Sequence, residues 1–159
     1  YRILLRPHPE YIKRNRKKFQ SVRQMTRTYP QLEIDEKADL ISRLSEADIL
    51  ITDRSGIAIE FALGCRRPVI FIETAPKETN KEWRKWEIEP LENTIRNQIG
   101  FLVDPSALST IPVLIEKAGQ SKEEFASRME ELSRQYFFND PAAYREGVVY
   151  IIEQLKKQD

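Results

Sequence analysis

The sequence predicts an α/β fold: a Rossmann-like parallel sheet with flanking helices, followed by a helical C-terminal segment. Three observations carry that expectation. Over residues 1–104, short β-rich apolar runs alternate with stretches of helical period, the pattern of βαβ units. Two of those runs, Ile49-Leu50-Ile51-Thr52 and Pro68-Val69-Ile70-Phe71-Ile72, show no polar alternation, as strands covered on both faces do. Beyond residue 104 the apolar positions recur at helical spacings.

The elements follow in order. Ile3-Leu4-Leu5 is a short strand, stopped by Arg6-Pro7-His8-Pro9, whose prolines also stiffen the loop. Residues 10–27 read as one helix with sparse apolar positions (Ile12, Phe19, Val22) and a basic exposed face, ending at Tyr29-Pro30. Leu32-Glu33-Ile34 alternates and reads as a strand. Residues 39–47 form a helix with Leu40, Ile41 and Leu44 on one face. The run 49–52 is expected to be a central strand. Residues 55–64 follow as a helix, capped by Ser55 and closed by Gly64. Its middle is apolar nearly all round, so it should be buried. After the strand at 68–72, residues 73–98 are polar and weakly periodic, a long loop with some helix. Phe101-Leu102-Val103 is the last strand. Three helices close the chain: one over 109–118, one carrying Phe125, Met129, Leu132 and Tyr136, and one carrying Tyr144, Val148, Ile151, Ile152 and Leu155. By period, both of these stripes face a core.

A chain of 159 residues suits one domain, here a sheet-forming core over 1–104 and helices over 105–159. The balance of 40% hydrophobic and 32% charged residues is that of a globular protein. No apolar run approaches the ~20 residues of a membrane-spanning helix. No signal peptide is visible, and the opening on Tyr1 without an initiator Met reads as a piece of a longer, two-domain protein. Cys65 is the single cysteine, which excludes an internal disulfide and fits a reducing, cytoplasmic setting. One His and one Cys argue against a zinc site. A net charge of +1 gives the whole chain no pull toward nucleic acid.

Two segments carry candidate chemistry. In Thr52-Asp53-Arg54-Ser55-Gly56 a buried strand turns into a helix. A helix N-terminus offers free N–H groups and a partial positive charge to phosphate, and ligands of open α/β sheets sit at the carboxyl ends of strands. Gly56 lets a ligand approach the backbone, and Ser55 can cap the helix or bond a phosphate oxygen. Glu60, one acid in an apolar helix, can accept the hydroxyls of a ribose. An ordinary capped helix, with Glu60 paired to an arginine, accounts for the same residues. The second segment is Arg6-Pro7-His8-Pro9, expected on the same rim: a guanidinium grips phosphate bidentately, and an imidazole donates to phosphate or moves a proton. Of the remaining features, Lys13-Arg14-Asn15-Arg16-Lys17-Lys18 is either a solvated helix face or a contact to anionic lipid or polymer. Trp83, Arg84, Lys85 and Trp86 either line an acceptor site or pin a loop.

The Arg6-Pro7-His8-Pro9 strand end resembles the CDP-glycerol glycerophosphotransferases, which polymerise teichoic-acid-like chains. So do Ala47-Asp48-Ile49-Leu50-Ile51-Thr52-Asp53, the Ser55 and Glu60-Phe61 that follow, and Arg67-Pro68-Val69-Ile70-Phe71-Ile72-Glu73. The similarity spans residues 3–103. It implies the C-terminal, nucleotide-binding half of a GT-B architecture, with no metal or cofactor called for. The donor would be CDP-glycerol or a related activated nucleotide, the acceptor a polyol-phosphate polymer or a glycan, and no nucleic acid is involved. The location would be cytoplasmic or peripheral at the inner membrane face. The resemblance makes His8 catalytic, with Arg6 beside it on the pyrophosphate. It gives Thr52, Ser55 and Gly56 to phosphate and Glu60 to ribose, with Asp53 among the substrate-binding residues. The general base would come from the other half, leaving this piece inactive alone. Family members usually carry Tyr and Ser where this chain has Arg54 and Gly56, and they open this half with a further strand and helix. Ser-Gly at the turn is also similar to UDP-sugar 2-epimerases and other GT-B glycosyltransferases. A third reading is a non-catalytic α/β module that binds a partner.

Overall fold

A computed structural model describes residues 1–36, 39–75, 82, 85, 89–137 and 142–157. Its strands are β1 (Ile3–Leu5), β2 (Leu32–Ile34), β3 (Leu50–Thr52), β4 (Val69–Ile72) and β5 (Gly100–Val103). Every pairing is parallel, as the βαβ pattern requires. The strands form two sheets, β1-β2 and β3-β4-β5. The chain correspondingly divides into two compact units, Tyr1–Ser42 and Arg43–Asp159.

In the first unit β1 and β2 run in register from Ile3 opposite Leu32 to Leu5 opposite Ile34. The helix expected over 10–27 is two helices, α1 (Pro9–Arg14) and α2 (Arg16–Thr28). Asn15 breaks them, because its φ of −127° and ψ of 43° leave the helical region. Its N–H still donates to the Tyr11 carbonyl (2.9 Å), and its own carbonyl accepts from Phe19 (2.9 Å), so the chain turns without orphaning either group. Pro9 opens α1, where a missing N–H costs nothing. The sparse apolar stripe packs as its spacing predicts: Phe19 is buried, with the Arg23 guanidinium 5.1 Å from its ring.

The second unit is built on α4 (Ile57–Cys65). Ala58, Phe61, Ala62 and Leu63 are buried there, and the helix packs on β3 and β4 as well as on α6 (Arg96–Ile99) and α8 (Lys122–Tyr136). Contact on so many sides is what an all-apolar helix needs. The core is completed by Val69, Phe71, Ile95, Ile99, Phe125, Met129 and Leu132. Phe125 meets Phe101 edge-on, centroids 5.6 Å apart. The stripe of α8 therefore faces the core, with Tyr136 packed at its margin.

Several elements differ from expectation. β4, not β3, is central in its sheet, so Ile51 on the edge strand β3 stays 43% exposed. Helix α3 (Leu40–Glu46) turns Leu44 to the core but leaves Ile41 in solvent. Its last turn is closed by Arg67, whose Nη1 donates to the carbonyls of Ser45 (2.8 Å) and Ala47. The helix expected over 109–118 is a 3-10 turn, Pro105–Thr110, followed by α7 (Ile111–Gln120). Each begins with a proline in its first turn, which sets the break. The polar stretch before β5 holds α6 and the short α5 (Leu91–Thr94). Trp83, Arg84 and Trp86 lie outside the described residues, while Lys85 pairs with Glu82 (2.6 Å). The last helix, α9 (Ala143–Lys156), is the largest departure: it buries no residue. Tyr144, Val148, Ile151, Ile152 and Leu155 are all exposed, so periodicity identified an apolar face but not a core for it.

Candidate functional site

Each candidate residue sits at the carboxyl end of a parallel strand or at the start of the helix after it. In the first unit, Arg6 follows β1 and Asp35 follows β2. Their side chains pair, Arg6 Nη1 to Asp35 Oδ2 at 2.6 Å, and the Asp35 N–H donates to the Leu5 carbonyl at 2.9 Å. The Asp35 carboxylate is almost wholly buried and the arginine a third exposed. Asp35 thus orients a guanidinium that has further N–H groups to offer. His8 is the N-cap of α1. Its Nδ1 accepts from the Glu10 N–H at 3.2 Å, and its carbonyl accepts from Tyr11 at 2.8 Å. An imidazole that accepts at Nδ1 carries its hydrogen on Nε2 when neutral, so exposed His8 is set up as a hydrogen-bond donor.

In the second unit, Thr52 ends β3, and 53–56 lead into α4. The helix expected to begin at Ser55 begins at Ile57, with Gly56 as N-cap (φ −58°, ψ −29°) and no side-chain cap. Ser55 contributes its carbonyl, which accepts from Ala58 at 3.1 Å; its hydroxyl caps nothing. Helix closure is also displaced from Gly64: Arg66, at φ 54° and ψ 43°, takes the left-handed position past Cys65. A Cβ placed on Gly56 would meet no atom within 4 Å, and its φ suits any residue. Nothing inside the fold requires glycine there. Glu60 is exposed in the first turn of α4 and forms no ion pair among the described residues, so the arginine partner of the ordinary-helix reading is not found. Asp53 is half-buried in the turn.

What holds this turn is a charge cluster at the end of β4. Arg54 Nε donates to the Thr74 carbonyl (2.9 Å), its Nη1 reaches Asn93 Oδ1 (3.4 Å), and its Nη2 lies 3.5 Å from Glu73 Oε2. The other Glu73 oxygen pairs with Arg96, whose side chain is only 7% exposed and whose guanidinium lies 4.6 Å from the centre of the Phe71 ring. One carboxylate thus serves two guanidiniums, so these three side chains carry a net charge of +1. Glu73 is in turn tied to β5, its N–H donating to the Val103 carbonyl at 2.8 Å. At the end of β5, Asp104 Oδ1 accepts from the Ser106 hydroxyl (2.6 Å) and N–H (2.8 Å). Those bonds hold its carboxyl below the ordinary aspartate range.

Sequence reasoning missed Arg54, Glu73, Arg96 and Asp35. An acid one residue past a buried strand was a signal for Glu73. Arg96 carried none, because its partner is distant in sequence. Among the described residues, no three His, Cys, Asp or Glu side chains group as metal ligands, and no helix is long and apolar enough to cross a membrane.

Parallel strands with helices packed on them, and polar turns at their carboxyl ends, make this a Rossmann-like α/β chain. A family model described as CDP-Glycerol:Poly(glycerophosphate) glycerophosphotransferase matches residues 1–98, and the chain belongs to this family of transferases. No curated protein and no solved structure matches it.

Proposed function

We propose that this chain binds the donor of a glycerophosphotransferase, CDP-glycerol, whose glycerol phosphate passes to a hydroxyl of a polyol-phosphate or glycan acceptor. The observation that carries the reading is the start of α4: its N-cap is Gly56, which has no side chain and leaves open space, and Arg54, Glu73 and Arg96, together of net charge +1, tie the turn to the end of β4 and to α6. Such a turn suits a phosphate, which takes its hydrogen bonds from the helix start and Ser55. Thr52 and Asp53 shape the same turn, and Glu60 takes the ribose hydroxyls. In the reaction the acceptor oxygen forms a bond to the β-phosphorus and loses its proton to a general base outside this chain, the bond from that phosphorus to the bridging oxygen breaks, and CMP leaves with the electron pair. His8 would donate from Nε2 to a pyrophosphate oxygen as negative charge develops, and Arg6 would share that charge. The protein's contribution is electrostatic placement, and no step calls on a metal.

Calorimetry with CDP-glycerol and CMP tests this. A hydrogen bond to a charged group contributes about 1.5–3 kcal/mol, so Ser55→Ala and His8→Ala should each weaken CDP-glycerol binding roughly 10- to 100-fold. Unchanged affinity in both single variants refutes the assignment. Preference for UDP over CDP would move the chain to the GT-B nucleotide-sugar enzymes, and the absence of nucleotide binding would favour a partner-binding module.

A further inference from the structure

The first unit carries a second cationic feature, separate from the strand ends. Lys13-Arg14-Asn15-Arg16-Lys17-Lys18 straddles the break between α1 and α2 and lines a shallow, open hollow of about 420 Å³. Lys13 Nζ and Arg14 Nε share one carboxylate, that of Glu10, at 3.1 and 3.3 Å. Arg16, Lys17 and Lys18 are exposed and have no carboxylate partner among the described residues. Helix α2 holds five basic residues and no acid, and three of them stand in its first turn. Cations there oppose the helix dipole, so in the free chain the arrangement is locally unfavourable. A bound anion would reverse the sign of that term.

We infer that this hollow is a docking surface for a polyanionic phosphodiester chain, through which the acceptor polymer is gripped away from its reacting end. The identity of the polymer rests on the transferase reading above; the charge complementarity does not. Side-chain chemistry favours a polymer over a bilayer. The six residues include no apolar side chain to insert among acyl chains, whereas Phe19 and Ile12 beside them are buried and half-buried. Repeating phosphodiesters engage unpartnered cations in sequence, and each contact releases a counterion.

The test measures binding of synthetic poly(glycerol phosphate) oligomers to the chain over a salt series. Arg16→Gln/Lys17→Gln/Lys18→Gln is compared with the parent and with Lys156→Gln as a charge control. The triple variant should bind at least about tenfold more weakly at low salt. Its slope of log affinity against log salt should flatten by about two, from roughly 0.7 per lost phosphate contact. Lys156→Gln should match the parent, and CDP-glycerol affinity should be the same in all three. Unchanged oligomer affinity or slope in a folded triple variant would overturn the inference. So would tighter binding to phosphatidylglycerol vesicles, or to single-stranded DNA of equal charge, than to the oligomer. Loss of nucleotide binding with intact oligomer binding would defeat the donor reading and leave this one standing.

Discussion

Replacing Glu73 with Gln probes how the turn at 53–56 is held. The substitution keeps the shape of the side chain and removes the charge that two guanidiniums share. Arg96 stays protonated, since a guanidinium does not lose its proton in a protein. It would then lie buried against the face of Phe71, with no anion beside it. Two unit charges 4 Å apart attract by about 4 kcal/mol at an effective dielectric of 20. Breaking a buried pair from one side costs about 3–5 kcal/mol. Glu73 is a third exposed, so water screens part of this, and a loss of about 2–3 kcal/mol is expected. For a chain of this size that lowers Tm by about 5–10 °C. Urea denaturation followed by far-ultraviolet circular dichroism measures it. Arg96→Met should restore part of the loss when added to Glu73→Gln, since the pair rather than the carboxylate alone carries the effect. A cost below about 0.5 kcal/mol, or additive losses in the double variant, would show that the cluster does not hold the turn.

Two further outcomes follow from the sheet and its edge. A Cβ on Gly100 would lie 1.8 Å from the Val69 carbonyl oxygen and 2.7 Å from its carbon. The obstacle is backbone, so β4 and β5 must separate; Gly100→Ala should destabilise by about 3 kcal/mol, whereas Gly119→Ala, in open space on α7, should be neutral or stabilising by up to about 1 kcal/mol, and thermal melts compare the pair. For Asp104 the folded pKa lies below the unfolded one, so its contribution to stability is present above the ordinary aspartate range and is lost as pH falls through the folded value. A carbon-detected NMR titration should place its midpoint below that of a free aspartate, and Ser106→Ala should move it back up.

The α/β class, the parallel pairing and the buried α4 were legible because each depends on local composition: unbroken β-rich runs, an all-apolar helix, prolines at element ends. Position within the sheet was not. Ile49-Leu50-Ile51 reads as a covered strand, yet β3 is an edge, since apolar content does not say which strand lies between which. The start of α4 missed by two residues because Ser55 is a good cap by type, and the chain uses its carbonyl instead. The two polar strand ends were legible as places in the fold, and the bracing of the second was not. Arg54 and Glu73 lie 19 positions apart, and Arg96 joins them only through the folded sheet.

The exposed helix α9 sets a clock on the molecule. An isolated helix shorter than ~12–15 residues is marginal in water, and α9 has 14 with none buried. Its amide hydrogens should therefore exchange with deuterium at close to the rate of an unstructured chain, even where Val148 to Leu155 would be apolar enough to protect them in a core. Those of α4 and α8 wait for the whole second unit to open, because Phe61, Ala62 and Met129 must leave the core first. The chain carries its own fast and slow exchange standards. A slowing confined to 143–156 would register, residue by residue, the moment that stripe is covered.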